Sequence, residues 1–205
     1  MLGIDPKLAG KLAGVFVILA YLPYVITILQ EKTRPSRTTW FTWLILDILA
    51  LTCYKSVGAD ETAWVTVGFT IGASIVATLS IKYGENSWSR LDTICSAGAV
   101  VCLSALLFLD NPLTALLINL FVTLLGAMPT FKKAYLDPGS ENKLAWSLFL
   151  VGCLVNFLAV KKWTFVIAIY PIVILLIDGP IAALVLCPSI RFRTKPGKDK
   201  EAPIV

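Results

Sequence analysis

Histidine is absent from the 205 residues, and no two of the five cysteines form a C-x-x-C pair. Cys53, Cys95, Cys102, Cys153 and Cys187 are scattered through apolar runs. A zinc site wants clustered Cys and His ligands, so no metal site and no disulfide framework is expected. Cysteines placed this way behave as small hydrophobes. With no imidazole to act as a base and no glycine-rich phosphate loop, no catalytic constellation is visible, and neither an enzyme nor a cofactor is expected. Charge is also scarce. Charged residues make up 15% of the chain, against roughly 25% in a soluble domain. Hydrophobic residues make up 57%, and the mean hydropathy is +0.80. A water-soluble fold cannot hide that much apolar surface, so an integral membrane protein is expected. The net charge of +5 then points to cytoplasmic loops rather than to nucleic acid.

A spanning helix needs about 20 mostly apolar residues. Seven stretches fit, at about 8–29, 38–54, 62–81, 91–109, 112–131, 144–160 and 163–186. The first is too long for a signal-peptide core and is interrupted by Pro23, so residues 1–30 read as a retained helix. Short loops carry the charges. One face of the expected bundle collects thirteen Lys and Arg and the other collects five, namely Lys7, Lys11, Lys55, Lys161 and Lys162. The richer face should be cytoplasmic. That puts the N-terminus outside and the C-terminus inside, with 188–205 as a polar, basic cytoplasmic tail. The setting is a multi-pass plasma membrane or bacterial inner membrane protein.

Two stretches resemble each other. The step from Pro23 to Trp40 equals the step from Pro129 to Trp146. The shift that carries Pro23 onto Pro129 also pairs Lys55 with Lys161 and Trp64 with Tyr170. The expected architecture is all-α, seven transmembrane helices in a duplicated 3+1+3 plan. Residues 1–83 form the first triple-helix bundle, 84–110 the linker helix, 111–187 the second bundle and 188–205 the tail. Each copy has an odd number of spans, so the fourth helix restores the orientation and yields parallel repeats. Repeats of this kind recur in transporters, with the solute site near the midplane at their interface.

The carriers of a family resemblance are Pro23-Tyr24 and Pro129-Thr130, the Lys32-Thr33-Arg34-Pro35-Ser36 turn, Trp40 with Trp43, and the Leu79…Tyr83 end of the third helix. With the 3+1+3 pattern they resemble the PQ-loop superfamily, which includes the SWEET sugar transporters and the half-size SemiSWEETs. The resemblance covers nearly all of residues 8–187. It implies bundles ordered 1-3-2, alternating access, and a small polar solute such as a sugar, an amino acid or another metabolite, moved with or without a coupled proton. The chain departs from the pattern in lacking Gln after either proline and in lacking prolines in helices two and six. The family's sugar-binding asparagines would fall near Thr66 and Ile172, and Ile172 cannot hydrogen-bond a sugar hydroxyl. Other readings stay open: a vitamin-precursor carrier of the nicotinamide riboside type, or a non-transporting seven-helix protein such as a cargo receptor or an assembly subunit. A chain that already holds two copies suffices as a monomer, though a homo-oligomer is not excluded.

Asp47 and Asp178 are the two carboxylates well inside the apolar stretches. An ionisable group in hydrocarbon is costly and marks a functional candidate. Each lies seven or eight residues from the cytoplasmic end, about 10 Å deep at 1.5 Å per residue, so they could share one cavity as a proton-coupling or cation-binding pair. The alternative is two protonated carboxyls bonded to backbone, with Asp178 serving the Asp178-Gly179-Pro180 break. Asn119 and Asn156 either bind a polar solute or hydrogen-bond between helices. Trp43 and Trp64 are candidates to stack on a solute, and Tyr170, near a span end, is a further candidate to contact it. Trp40, Trp146 and Trp163 read as interfacial belt residues. Pro23 and Pro129, followed by Tyr24 and Thr130, each remove one helix hydrogen bond and suit paired hinges or gates. Gly68-x-x-x-Gly72 with Ala73, Ser74 and Ala77 marks the third helix as a small-residue packing helix, and Ser36 and Arg37 read as a cap on the second.

Overall fold

The computed structural model describes residues 5–86, 88–109 and 111–190. Of the expected tail, 191–205 lies outside the described residues. The described chain is helical: α1 (Pro6–Leu29), α2 (Arg37–Ser56), α3 (Trp64–Tyr83), α4 (Arg90–Phe108), α5 (Pro112–Leu136), α6 (Lys143–Leu158) and α7 (Phe165–Leu186). Short 3-10 turns follow α5 and α7 at Pro138–Ser140 and Pro188–Ile190.

The helix starts are written in capping residues. Asp5, Ser36, Ser89, Asn111 and Asn142 each accept a hydrogen bond from a backbone N–H in the first turn of the following helix, which satisfies an amide that has no partner within the helix. Pro6 and Pro112 stand at the first helical position, where the missing N–H costs nothing. The shift that carries Pro23 onto Pro129 also carries the cap Asp5 onto the cap Asn111, and Ser36 onto Asn142. At its far end α1 stops at Glu31, whose φ of 56° is left-handed, and the amides of Lys32 and Thr33 both donate to the Thr27 carbonyl.

Five helices are long and apolar enough to cross a membrane: α1, α3, α4, α5 and α7. The expected count was seven. α2 falls short because Arg37, Asp47, Lys55 and several threonines dilute its 20 residues. α6 has 16 residues, about 24 Å at 1.5 Å per residue, against a hydrocarbon core of about 30 Å. The burial pattern is that of a membrane protein. On α1 the exposed face includes Leu8, Leu12, Val15, Leu19, Leu22 and Ile26, while the buried residues are Ala9, Gly10, Ala13, Gly14, Val17, Ala20, Tyr21 and Ile28. Large apolar groups outside and mostly small ones inside suit a lipid surround.

The helices pack as a ring. α3 touches both α1 and α2, and α7 touches both α5 and α6; α1 then meets α6, and α2 meets α5. α4 stands outside the ring, against α5 and α2. Close crossings depend on missing side chains. A Cβ on Gly14 would sit 2.5 Å from the Trp64 carbonyl oxygen, and one on Gly68 would sit 2.6 Å from that of Gly14, so α1 and α3 meet backbone to backbone. Where α5 crosses α2, the buried Asn119 donates to the Leu46 carbonyl at 2.9 Å.

One end of the bundle is tied by polar contacts. Arg37 at the start of α2 donates to the Ser80 carbonyl, the Gly84 carbonyl and the Asn86 side chain, binding the end of α3. Asp92 reciprocates the Ser89 cap and accepts from Thr39 Oγ1 at 2.8 Å, which fixes the start of α4 to the start of α2. The opposite end is tied by Tyr54, whose hydroxyl donates to the Ile167 carbonyl at 2.6 Å and accepts from Thr62 at 2.8 Å.

Candidate functional site

The ring encloses a cavity of about 780 Å³. Its mouth lies at the end carrying the α1–α2 and α5–α6 loops, where Thr33, Lys133, Gly139 and Asn142 line it. Lys133 holds Glu141 there at 2.7 Å. Its deep end is made of the buried residues Ala50, Asn119, Tyr170 and Ile174. Beyond that floor the Tyr54 ring stacks on Tyr170 with centroids 4.7 Å apart.

The floor has a physical reason that no single helix reveals. In a helix the Ile167 carbonyl would accept from the amide of residue 171, but residue 171 is proline and has none. Tyr54, arriving from α2, supplies the missing donor. The carbonyl is satisfied across the ring, which ties α2 to α7 at the closed end.

Nine of the twelve residues singled out in the sequence line the cavity. Asp47 reaches it from α2, Asp178 from α7 and Asn119 from α5; Trp43 and Tyr170 contribute rings; Pro23, Tyr24, Pro129 and Thr130 lie on the α1 and α5 walls. Asp178 is buried, and one of its oxygens is 3.5 Å from the Cys153 thiol. Asp47 makes no hydrogen bond or ion pair among the described residues. Both carboxyl groups belong to the lining of one cavity, together with Tyr21 and Tyr170.

The other three lie elsewhere. Thr66 is buried and donates to the Ala63 carbonyl, one turn back along the chain. Trp64 is exposed, with the Lys11 ammonium 5.7 Å from its ring centroid. Asn156 is buried, and neither of its side-chain polar atoms has a hydrogen-bond partner among the described residues. Ile172 is exposed too and is not part of the lining.

The cavity also uses residues that sequence reasoning passed over or gave to the interface. Trp40 and Trp146 line it rather than serving only a belt. Tyr21 sits edge-on to Trp40 at 6.2 Å and to Phe149 at 5.3 Å, and Phe69 stacks on Phe149 at 5.8 Å. The shift between the two resembling stretches pairs Phe149 with Trp43 and was the available signal for it. Among the described residues no group of three or more His, Cys, Asp or Glu is arranged to hold a metal. No protein-family model, no curated protein and no solved structure matches the chain.

Proposed function

We propose that this chain is a seven-span membrane carrier, a divergent relative of the PQ-loop and SWEET-like transporters, moving a small polar solute by alternating access. The observation that carries the reading is the cavity between two groups of three helices, open at one end and stapled shut at the other by Tyr54. α1, α2 and α3 form one group, and α5, α6 and α7 the other. Each has its third helix between the first two, as a 1-3-2 bundle requires. The caps paired by one common shift support an ancestral duplication. So do the two crossings between groups. Asn119 on α5 bonds Leu46 on α2, and at the shifted positions a Cβ on Gly152 of α6 would lie 3.2 Å from the Ala13 carbonyl of α1.

On this reading α2 and α6 also span. Asp47 of α2 lines the cavity inside the ring rather than facing lipid. The mouth lies at the Lys- and Arg-rich end and therefore faces the cytoplasm. Pro23 and Pro129 flex the cytoplasmic ends of α1 and α5, while separation of Tyr54 from Ile167 opens the far end.

The test is a staple in place of the hydrogen bond. In a variant with the native cysteines replaced, cysteines are placed at Thr62 and Ile167, and the protein is reconstituted into vesicles with a solute found by a thermal-shift screen of sugars, amino acids, nucleosides and organic cations. Oxidation should halt solute counterflow, and reduction should restore it. Counterflow that persists with the crosslink complete refutes alternating access through this end.

A further inference from the structure

We propose that the solute is an organic cation, with a quaternary or ring-borne positive charge set in apolar surface; this rests on the carrier reading above and names its substrate class. The charges lining the cavity are Asp47, Asp178, Glu141 and Lys133. Lys133 and Glu141 neutralise each other at the mouth. The interior is left with two carboxyl groups and no basic side chain. Asp178 is 9% exposed and has only the Cys153 thiol near one oxygen, while Asp47 has no partner among the described residues. When ionised in a low-dielectric space, such groups repel an anion strongly and attract a cation.

The walls narrow the class. Tyr21, Trp43, Phe69, Phe149 and Tyr170 present aromatic rings to the same space. A ring face is electron-rich and holds an organic cation that cannot be satisfied by hydrogen bonds alone. A bare metal ion fits poorly, because hard cations want six to eight oxygens and the described residues offer no cluster of three acidic or soft ligands. A proton satisfies a carboxyl group but leaves a ring-walled space of about 780 Å³ without an occupant. That volume falls in the range of sites for small organic molecules.

The probe is N-methylquinolinium, whose charge is fixed, set against quinoline at neutral pH, which has the same rings without the charge. Glucose, alanine and benzoate represent neutral polyols, zwitterions and aromatic anions. Binding to the purified full chain is read by tryptophan quenching and by thermal shift, and uptake is read in vesicles. N-methylquinolinium should bind about ten-fold or more tighter than quinoline, the discrimination that one desolvated charge contact gives. Asp47→Asn and Asp178→Asn should each erase most of that ratio while leaving quinoline binding in place, which also shows that the variants are folded. Trp43→Phe, which keeps a ring, should stay within a few-fold of the parent, and Trp43→Leu should not.

Equal binding of the two quinolines, or Asp→Asn variants that keep the ratio, overturns the cation inference. If glucose or alanine then binds and is taken up, the carrier reading stands with a different solute. If no probe of any class binds or crosses the membrane, both fall.

Discussion

Replacing Tyr54 with Phe removes one oxygen atom and keeps the ring that stacks on Tyr170 at 4.7 Å. The oxygen serves two partners. Thr62 loses the acceptor it reaches at 2.8 Å but retains the Ala59 carbonyl at 3.4 Å. The Ile167 carbonyl loses its donor outright, because Pro171 has no amide to offer. The bond is part-buried, and leaving such an acceptor unsatisfied costs about 1–3 kcal/mol at most, so Tyr54→Phe should destabilise the protein by about 1–2 kcal/mol. The sharper test supplies the missing donor. Pro171→Ala restores an N–H at the i+4 position, and in that background Tyr54→Phe should cost less than about 1 kcal/mol. The coupling in the four-protein cycle should therefore be about 1 kcal/mol, above the error of additivity for independent sites. Unfolding in mixed micelles, followed by tryptophan fluorescence, reads all four proteins. Equal cost of Tyr54→Phe with and without Pro171 would show that the hydroxyl is not replacing the proline's absent amide.

Gly14→Ala should destabilise by about 1–3 kcal/mol, because its Cβ would lie 2.5 Å from the Trp64 carbonyl oxygen where ordinary contact begins at 3.4 Å; an unchanged melting temperature refutes the backbone contact between α1 and α3. Glu31→Gly should stabilise by about 0.5–1 kcal/mol, since glycine adopts φ of 56° without the Cβ penalty; loss of stability in the same assay sinks this account of how α1 ends. Asp92→Ala should cost about 1–2 kcal/mol, as it removes acceptors for the Ser89 amide, the Ser89 hydroxyl and the Thr39 hydroxyl. Thr39→Ala should cost less in the Asp92→Ala background than in the parent, because the Thr39 hydroxyl then has only Ser36 Oγ as a side-chain partner, and equal cost in both backgrounds would contradict the shared hydrogen bond.

The helices were legible because their runs are apolar and their breaks are polar. The ends were less so. The fifth run reads as stopping near Phe131, yet α5 continues to Leu136, since Lys132 and Lys133 end an apolar run without ending a helix. The membrane count shifts for a related reason. α2 carries charges that face the ring or its ends, and hydropathy cannot tell an inward Asp47 from a lipid-facing one. Asp47 and Asp178 stood out as candidates because carboxyl groups are rare in apolar runs. Tyr21, Phe69 and Phe149 did not, because an aromatic residue in such a run is ordinary. What separates buried Tyr21 from exposed Leu22 is the rotation of α1, which its neighbours set. Asn156 shows the converse: an amide in an apolar run is conspicuous, but this one is buried on a wall helix and contributes nothing to the lining.

The weak identity between the two proposed copies has a structural explanation in the same terms. A duplicated ring must keep its helix starts and its crossings, and these can be met by different chemistry. Asp5 and Asn111 cap alike with different side chains. At one crossing Asn119 spends its amide on the Leu46 carbonyl; at the other Gly152 lets the Ala13 backbone approach. One solution uses a hydrogen bond and the other uses an absent side chain, yet both join helices at positions related by the one shift in sequence. The asymmetry continues into the cavity, where the same shift in sequence carries Asp47 onto Cys153, and Cys153 faces Asp178. The second acid is carried by α7 instead of α6, so both carboxyl groups reach one space although the repeat itself supplies only one of them. A site built this way is asymmetric by construction, which suits the proposed solute with one charged end.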